Sequence, residues 1–219
     1  MSASVTEEIF NAQIKTPFSM IIAGPSNSGK TTYVHQLLLN SDRLIDHTFD
    51  YVIWFYGQKI PDNLEIKNIN IQYIDGIPEN IDNFINPEKN GLAIFDDLMD
   101  ECENNKIIAN FFTKRSHHDN VSIIFITQNF FSHGKERKTF TKNATYFVIF
   151  NSPLDQTISH SLAHKIMPKQ KKVFQDIFNE ATKTPYSYLF IDGHQQTPKK
   201  AMLRSNMFNE VQNVYYPTK

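Results

Sequence analysis

Gly24-Pro25-Ser26-Asn27-Ser28-Gly29-Lys30-Thr31-Thr32 is the stretch that decides the fold. It has the spacing G-x-x-x-x-G-K-[ST] of a phosphate-binding loop. An apolar run, Phe18-Ser19-Met20-Ile21-Ile22-Ala23, precedes it, and a helix-like run follows from Lys30 to Leu39. The chemistry needs a strand, a glycine turn and a helix N-terminus in that order. Successive backbone N–H groups then point into one concavity, where the helix dipole adds roughly half a positive charge. Gly24 and Gly29 let the backbone curl without a Cβ clash. Lys30 is expected to reach the β and γ phosphates, and the Thr31 hydroxyl to ligate Mg²⁺. A chance loop match is the competing reading, and the flanking strand and helix argue against it.

Working outward, the pattern predicts a strand over 18–23, a helix over 30–40 and an aromatic, β-branched strand over 51–56. A short strand within 63–76 and a short helix within 77–87 come next. A buried strand over 91–97 ends in acid, and a helix over 103–118 carries Ile107, Ile108, Phe111 and Phe112 on one side. Continuous apolar strands follow over 122–127 and 146–150, then helices over 155–166 and 169–182. A late strand over 186–191 has 201–204 as a candidate partner. Residues 1–16 read as a frayed or edge segment, and 17–219 as one domain. Apolar strands alternating with helices imply an α/β fold with a mostly parallel sheet covered on both faces. Ligands bind such sheets beyond the carboxyl ends of the strands.

The bulk numbers narrow the function classes. A chain of 219 residues with 40% hydrophobic content and 18 Phe suits one large α/β domain. No apolar run approaches the roughly 20 residues that span a bilayer. The first fifteen residues lack a charged-then-apolar leader pattern. The one cysteine, Cys102, cannot form an internal disulfide, which fits a reducing compartment and excludes a Cys-rich zinc site. A net charge of −1 argues against a broad basic DNA-gripping face, so any nucleic-acid contact must be local. Lysines cluster late, at Lys165, Lys169, Lys171, Lys172, Lys199 and Lys200, a pattern that a solvated helix face also explains.

The second chemical element is Leu92-Ala93-Ile94-Phe95-Asp96-Asp97. Asp96, at the strand's carboxyl end, is positioned to hold Mg²⁺ through water. Asp97 is sent by strand alternation to the other side of the mouth, where it would polarise the attacking water. Two exposed acids capping the next helix are the plainer alternative. The third element is Ile123-Ile124-Phe125-Ile126-Thr127-Gln128-Asn129. If this strand lies beside the phosphate-loop strand, the neutral amide of Gln128 can sense the γ-phosphate or its water.

The arginines are Arg43, Arg115, Arg137 and Arg204. Charge builds on a transferring phosphoryl group, and a trans arginine stabilises it. Arg115 ends the helix before the strand of Gln128, on the side away from that strand's tip, which suits a neighbour's nucleotide. A cation satisfying the helix dipole is the alternative, and Arg137 is the second candidate. His117 and His118 lack metal-ligand spacing and read as surface residues.

Taken together, these blocks resemble the FtsK–HerA superfamily of P-loop ATPases. Within it they look most like the poxvirus-type genome-packaging ATPases of virophages, adintoviruses and Polinton/Maverick elements. The resemblance is carried by residues 23–32, 93–99, 116–131, 143–153 and 185–192, of which the His-His-x-Asn…Thr-Gln-Asn block discriminates best. It implies a RecA/ASCE-like P-loop NTPase fold with late antiparallel strands. It also implies a homo-oligomeric ring (pentamer or hexamer) that uses ATP and Mg²⁺ to pump double-stranded DNA into a capsid. Asp96 would be the Mg²⁺ acid, Gln128 the sensor and Arg115 the trans finger. A capsid or portal-like vertex protein is the expected partner. The expected location is intracellular, in a host nucleus or cytoplasmic virus factory, or with the virion. Lys135, Lys138 and Lys142, just after the sensor, are candidate DNA phosphate contacts.

Two departures stand out. Many superfamily members carry Glu where this chain has Asp97, so a shorter acid must sit closer to the water or Glu101 must help. Viral relatives often carry Arg where this chain has Leu154. The rival readings are a HerA-like helicase or pump without a capsid, a small-molecule or nucleoside kinase, and a binding-only pseudo-ATPase.

Overall fold

A computed structural model describes residues 3–9, 13–57, 66, 69–98, 120–128, 141–154 and 157–217. The strands are β1 (Ala3–Ile9), β2 (Ser19–Ala23), β3 (Tyr51–Tyr56), β4 (Asn70–Asp75), β5 (Gly91–Asp96), β6 (Val121–Thr127), β7 (Tyr146–Phe150), β8 (Tyr188–Asp192), β9 (Leu203–Ser205) and β10 (Val211–Pro217). The helices are α1 (Lys30–Leu39), α2 (Ser41–Leu44), α3 (Thr157–Ile166) and α4 (Lys171–Ala181), with a 3₁₀ turn at Ile81–Phe84. The helix expected over 103–118 lies outside the described residues.

All ten strands join one sheet in the order β1-β10-β9-β8-β7-β2-β6-β5-β3-β4. From β7 to β4 the pairings are parallel. From β7 to β1 they are antiparallel. The mostly parallel centre and the antiparallel late strands agree with the sequence reading, and β9 does pair with β8. β2 and β6 are buried along their full length and β5 up to Phe95, as continuous apolar runs require when both faces are covered.

Alternation along each strand divides the apolar side chains between two cores. On one face Ile21, Ala23, Phe55, Phe95 and Phe125 pack under α3 and α4, which contribute Leu162, Phe174, Ile177 and Phe178. The rings of Phe55, Phe95 and Phe125 stack across β3, β5 and β6 at centroid spacings of 5.0 and 4.8 Å. On the other face Met20, Ile22, Trp54, Ile94 and Ile124 pack under α1 and α2, through Val34, Leu37, Leu38 and Leu44. The sheet is thus packed on both faces up to the carboxyl ends of β2, β5 and β6, where a ligand is expected.

Beyond β8 the chain is more polar but still tied down. Arg204 and Asp192 form an ion pair at 2.7 Å with both side chains essentially buried. The Arg204 guanidinium also lies 4.9 Å from the Phe190 ring centroid.

Candidate nucleotide site

β2 ends at Ala23 and the loop turns at once into α1. The Gly24 backbone is crowded by its neighbours: an added Cβ would lie 2.6 Å from Phe150 Cβ and 2.9 Å from Ser28 Oγ. Gly29 is the N-cap of α1 at φ 99°, a left-handed conformation that favours glycine. No side chain caps α1 and no acid occupies its first turn. Its N-terminus therefore keeps donors and positive potential for an anion.

Lys30 is the buried charge of the loop. Its ammonium donates to the carbonyls of Gly24 at 2.8 Å and Pro25 at 2.7 Å. Burial holds its pKa below the ordinary lysine range, while Asp96 and Asp97 oppose that shift. Lys30 and the two acids thus face one another electrostatically across the mouth of the sheet.

The strand order explains how the acids arrive there. β6 lies between β2 and β5, in register on both sides. Its tip, Gln128, therefore stands between the loop and the acids, the neighbourhood expected from sequence. The Gln128 carbonyl oxygen accepts from the Ser26 hydroxyl at 2.8 Å, and its amide donates to Asp97 Oδ2 at 3.2 Å.

Asp96 accepts from the Trp54 indole N–H at 3.3 Å. Burial pushes its carboxyl up to about 6; the hydrogen bonds from Trp54 and Thr31 and the charge of Lys30 pull the other way. Trp54 was not foreseen as a site residue; its signal was its place on the strand beside β5.

Asp97 departs from the simple alternation expected of it. β5 ends at Asp96, and Asp97 takes φ 57°. Its side-chain direction is therefore set by a left-handed turn, which Asp tolerates better than most residues. Gly57 packs on that turn: a Cβ there would sit 3.0 Å from the Asp97 carbonyl oxygen.

The donor set fits Mg²⁺. Magnesium takes oxygen ligands and is commonly held by one or two protein groups plus phosphates and water. The Thr31 side chain is among the groups that hold the Asp96 carboxyl's pKa down, so the two groups expected to share the ion are neighbours. Among the described residues no cluster of His, Cys, Asp and Glu offers an all-protein metal site.

Of the remaining expected residues, Lys142 precedes β7, at the end of the sheet opposite the phosphate loop. Burial, and after it the charge of Lys142, hold the Lys165 ammonium below its ordinary range. Leu154 is fully exposed. Arg115, Arg137, Lys135, Lys138, Glu101, His117 and His118 lie outside the described residues.

A phosphate loop leading from β2 into α1, an acid-tipped β5 and an amide-tipped β6 between them define a P-loop ATPase of the FtsK–HerA type. More particularly, the chain belongs to the poxvirus A32 protein family, whose model matches residues 7–194. Among solved structures it is similar to B204, the DNA-packaging ATPase from Sulfolobus turreted icosahedral virus. The TM-score is 0.52 at 13% identity, over 83% of this chain and 95% of that one. It is also similar to the genome packaging NTPase B204 from Sulfolobus turreted icosahedral virus 2 in complex with ATP-gammaS. There the TM-score is 0.51 at 16% identity, over 83% of this chain and 95% of that one. At such identities the likeness shows the shared fold. No curated protein matches the chain. Among the described residues no helix is long and apolar enough to cross a membrane.

Proposed function

We propose that residues 17–219 form a single P-loop ATPase domain that hydrolyses ATP to drive double-stranded DNA into a viral or virus-like capsid. The observation that carries this reading is the bridge from Ser26 through Gln128 to Asp97, opposite Lys30. A triphosphate clasped by Gly24–Thr32 would bring its terminal phosphate to that bridge. Its charge would draw the Lys30 ammonium away from the Gly24 and Pro25 carbonyls. Mg²⁺, held by Thr31 and through water by Asp96, would supply charge neutralisation at the β and γ phosphates. Asp97 orients and deprotonates the attacking water, and Gln128 transmits the presence or loss of the terminal phosphate to the segment that follows it.

The active form is a homo-oligomeric ring of five or six subunits, with ATP between neighbours and Arg115 of one subunit completing the site of the next. Lys135, Lys138 and Lys142 contact DNA phosphates, so binding is sequence-independent and salt-sensitive. A capsid or portal-like vertex protein is the docking partner, inside the infected cell or at the virion. Family membership favours packaging over a capsid-free pump or a nucleoside kinase.

The test is ATP turnover with and without duplex DNA, together with the mass of the assembly in nucleotide. Turnover stimulated by DNA and abolished in Lys30→Ala is expected. Normal turnover in Lys30→Ala would remove the phosphate-loop assignment, and phosphoryl transfer to a nucleoside without DNA stimulation would favour the kinase.

A further inference from the structure

A cavity of about 700 Å³ opens beside the phosphate loop, on the side away from the acids. Asn27 to Thr32 form one wall, and Tyr33, Phe150, Tyr186, Tyr188, Phe208 and Gln36 line the remainder. Its volume lies within the range of ordinary small-ligand sites, and it sets an aromatic wall of Tyr33, Phe150, Tyr186, Tyr188 and Phe208 against the polar wall of the loop.

The polarity of a bound triphosphate says what enters it. The acids and Gln128 lie on the β6 and β5 side of β2, and the terminal phosphate must face them. The α-phosphate end, with the sugar and base, must therefore leave on the opposite side. That is the β7 and β8 side, where Phe150 and Tyr188 are paired across the two strands.

Tyr186 is the residue this pocket singles out. It is 72% exposed, and its backbone stands at φ 64°. A bulky residue there is an outlier, and such outliers concentrate at functional sites. Its ring lies along the loop: a Cβ built on Gly29 would be 3.7 Å from Tyr186 Cδ1. Phe208, another aromatic of the lining, is on a turn that Arg43 clamps. The guanidinium donates to the carbonyls of Phe208 at 2.8 Å, Asn209 at 3.2 Å and Met207 at 3.4 Å. The Phe208 ring packs 5.0 Å from Tyr33, on α1 itself. The Phe208 side of the pocket is thus built before any ligand arrives, which lowers the ordering cost of binding.

We infer that Tyr186 is a stacking platform for the nucleotide base, with Phe208 closing the pocket, and that this site accepts purine triphosphates with little discrimination between adenine and guanine. The inference rests on the phosphate-loop reading above. Low discrimination follows from the lining: every base has a π-face, so stacking is tolerant of base identity. Gln36, an amide of the lining on the second turn of α1, offers an acceptor and two donors that can turn to match either purine edge.

The experiment measures equilibrium binding of ATP, GTP and inorganic tripolyphosphate, with Mg²⁺, to the full chain and to Tyr186→Leu, Tyr186→Phe and Lys30→Ala. Tyr186→Leu should weaken ATP and GTP alike by about tenfold, the size base–aromatic stacking commonly supplies, and leave tripolyphosphate unchanged. Tyr186→Phe should bind as the parent does, and the parent should favour ATP over GTP by no more than about fivefold. The inference is overturned if Tyr186→Leu weakens all three ligands together, if it weakens none, or if the parent rejects GTP strongly. A parent chain that binds neither ATP nor tripolyphosphate, or a Lys30→Ala that binds both normally, would instead remove the phosphate-loop reading itself.

Discussion

Gln128 and Asp97, 31 positions apart in sequence, are joined by an amide N–H to carboxylate hydrogen bond of 3.2 Å. The partners determine which way the amide faces. An ionised carboxylate only accepts, so the NH₂ group must point to Asp97 and the oxygen to the Ser26 hydroxyl. The acid proposed to act on water is therefore wired to the loop proposed to hold phosphate, through a neutral side chain that adds no charge of its own.

Gln128→Leu keeps the volume and removes both hydrogen bonds. The turnover number should fall by about 10²-fold, the low end of what a general base contributes. Nucleotide affinity, set by the loop backbone and Lys30, should move little. Steady-state turnover read alongside equilibrium ATP binding checks this. A parallel loss of affinity would mean that the bridge holds the loop in shape and does not act on water.

Gly24→Ala should abolish binding of both ATP and tripolyphosphate while circular dichroism stays native-like, because the added methyl lies 2.6 Å from Phe150 Cβ. The clash is with a Cβ, so shortening the neighbour to alanine leaves it in place. Gly24→Ala/Phe150→Ala should accordingly remain inactive in the same assay. Rescue by that double variant would show that the ring of Phe150, and not its Cβ, was the obstacle.

Asp96 gives the metal-free protein a defined pH dependence. Burial raises its folded pKa to about 6, whereas an unfolded aspartate titrates near 3.9, so the fold binds this proton more tightly than the unfolded chain does. Its contribution to stability should rise as pH falls from about 6 to about 4 and level off below, by at most about 3 kcal/mol. Urea unfolding with chelator, comparing the parent with Asp96→Asn, isolates the effect: the parent's stability relative to the variant should increase on acidification. Parallel curves across that window would contradict it.

The Arg204–Asp192 pair should behave as a buried ion pair. Removing one charge leaves the other uncompensated, at a cost of about 3–5 kcal/mol. Asp192 would retain hydrogen bonds from the His194 backbone and the Thr197 hydroxyl, at 3.1 and 2.9 Å, so Arg204→Met should sit at the lower end. Arg204→Met/Asp192→Leu should be less destabilised than Asp192→Leu alone, in which the guanidinium keeps its contacts to Gln212 and Phe190 but loses its counter-charge. Denaturant midpoints of the three variants decide the point.

Much of this architecture is readable in the chain because it depends on neighbours in sequence. The strand expected over 18–23 is Ser19–Ala23, and the helix expected over 30–40 is Lys30–Leu39. Runs such as Ile123-Ile124-Phe125-Ile126 announce strands buried on both faces, and β5, β6 and β7 fall where those runs are. The last strand, β10, was not legible. β10 alternates imperfectly and carries Gln212 and Asn213, with Gln212 buried beside Arg204 at 3.4 Å. Its pairing with β1 spans almost the whole chain, from Ala3 to Pro217, and no local pattern encodes a contact of that range.

The sequence alone determined that a phosphate loop joins a strand to a helix and that two later strands end in acid and amide. Spacing and hydrophobic period are properties of adjacent residues and survive without a fold. Tertiary structure decided the rest. Inserting β6 between β2 and β5 brought Gln128 to Asp97, a left-handed turn aimed Asp97, and Arg43 held the turn of Phe208 in the wall of the pocket that Tyr186 also lines. Each of these depends on which segments pack together, a choice made by burial summed over the whole sheet and by the turn geometry that this packing permits.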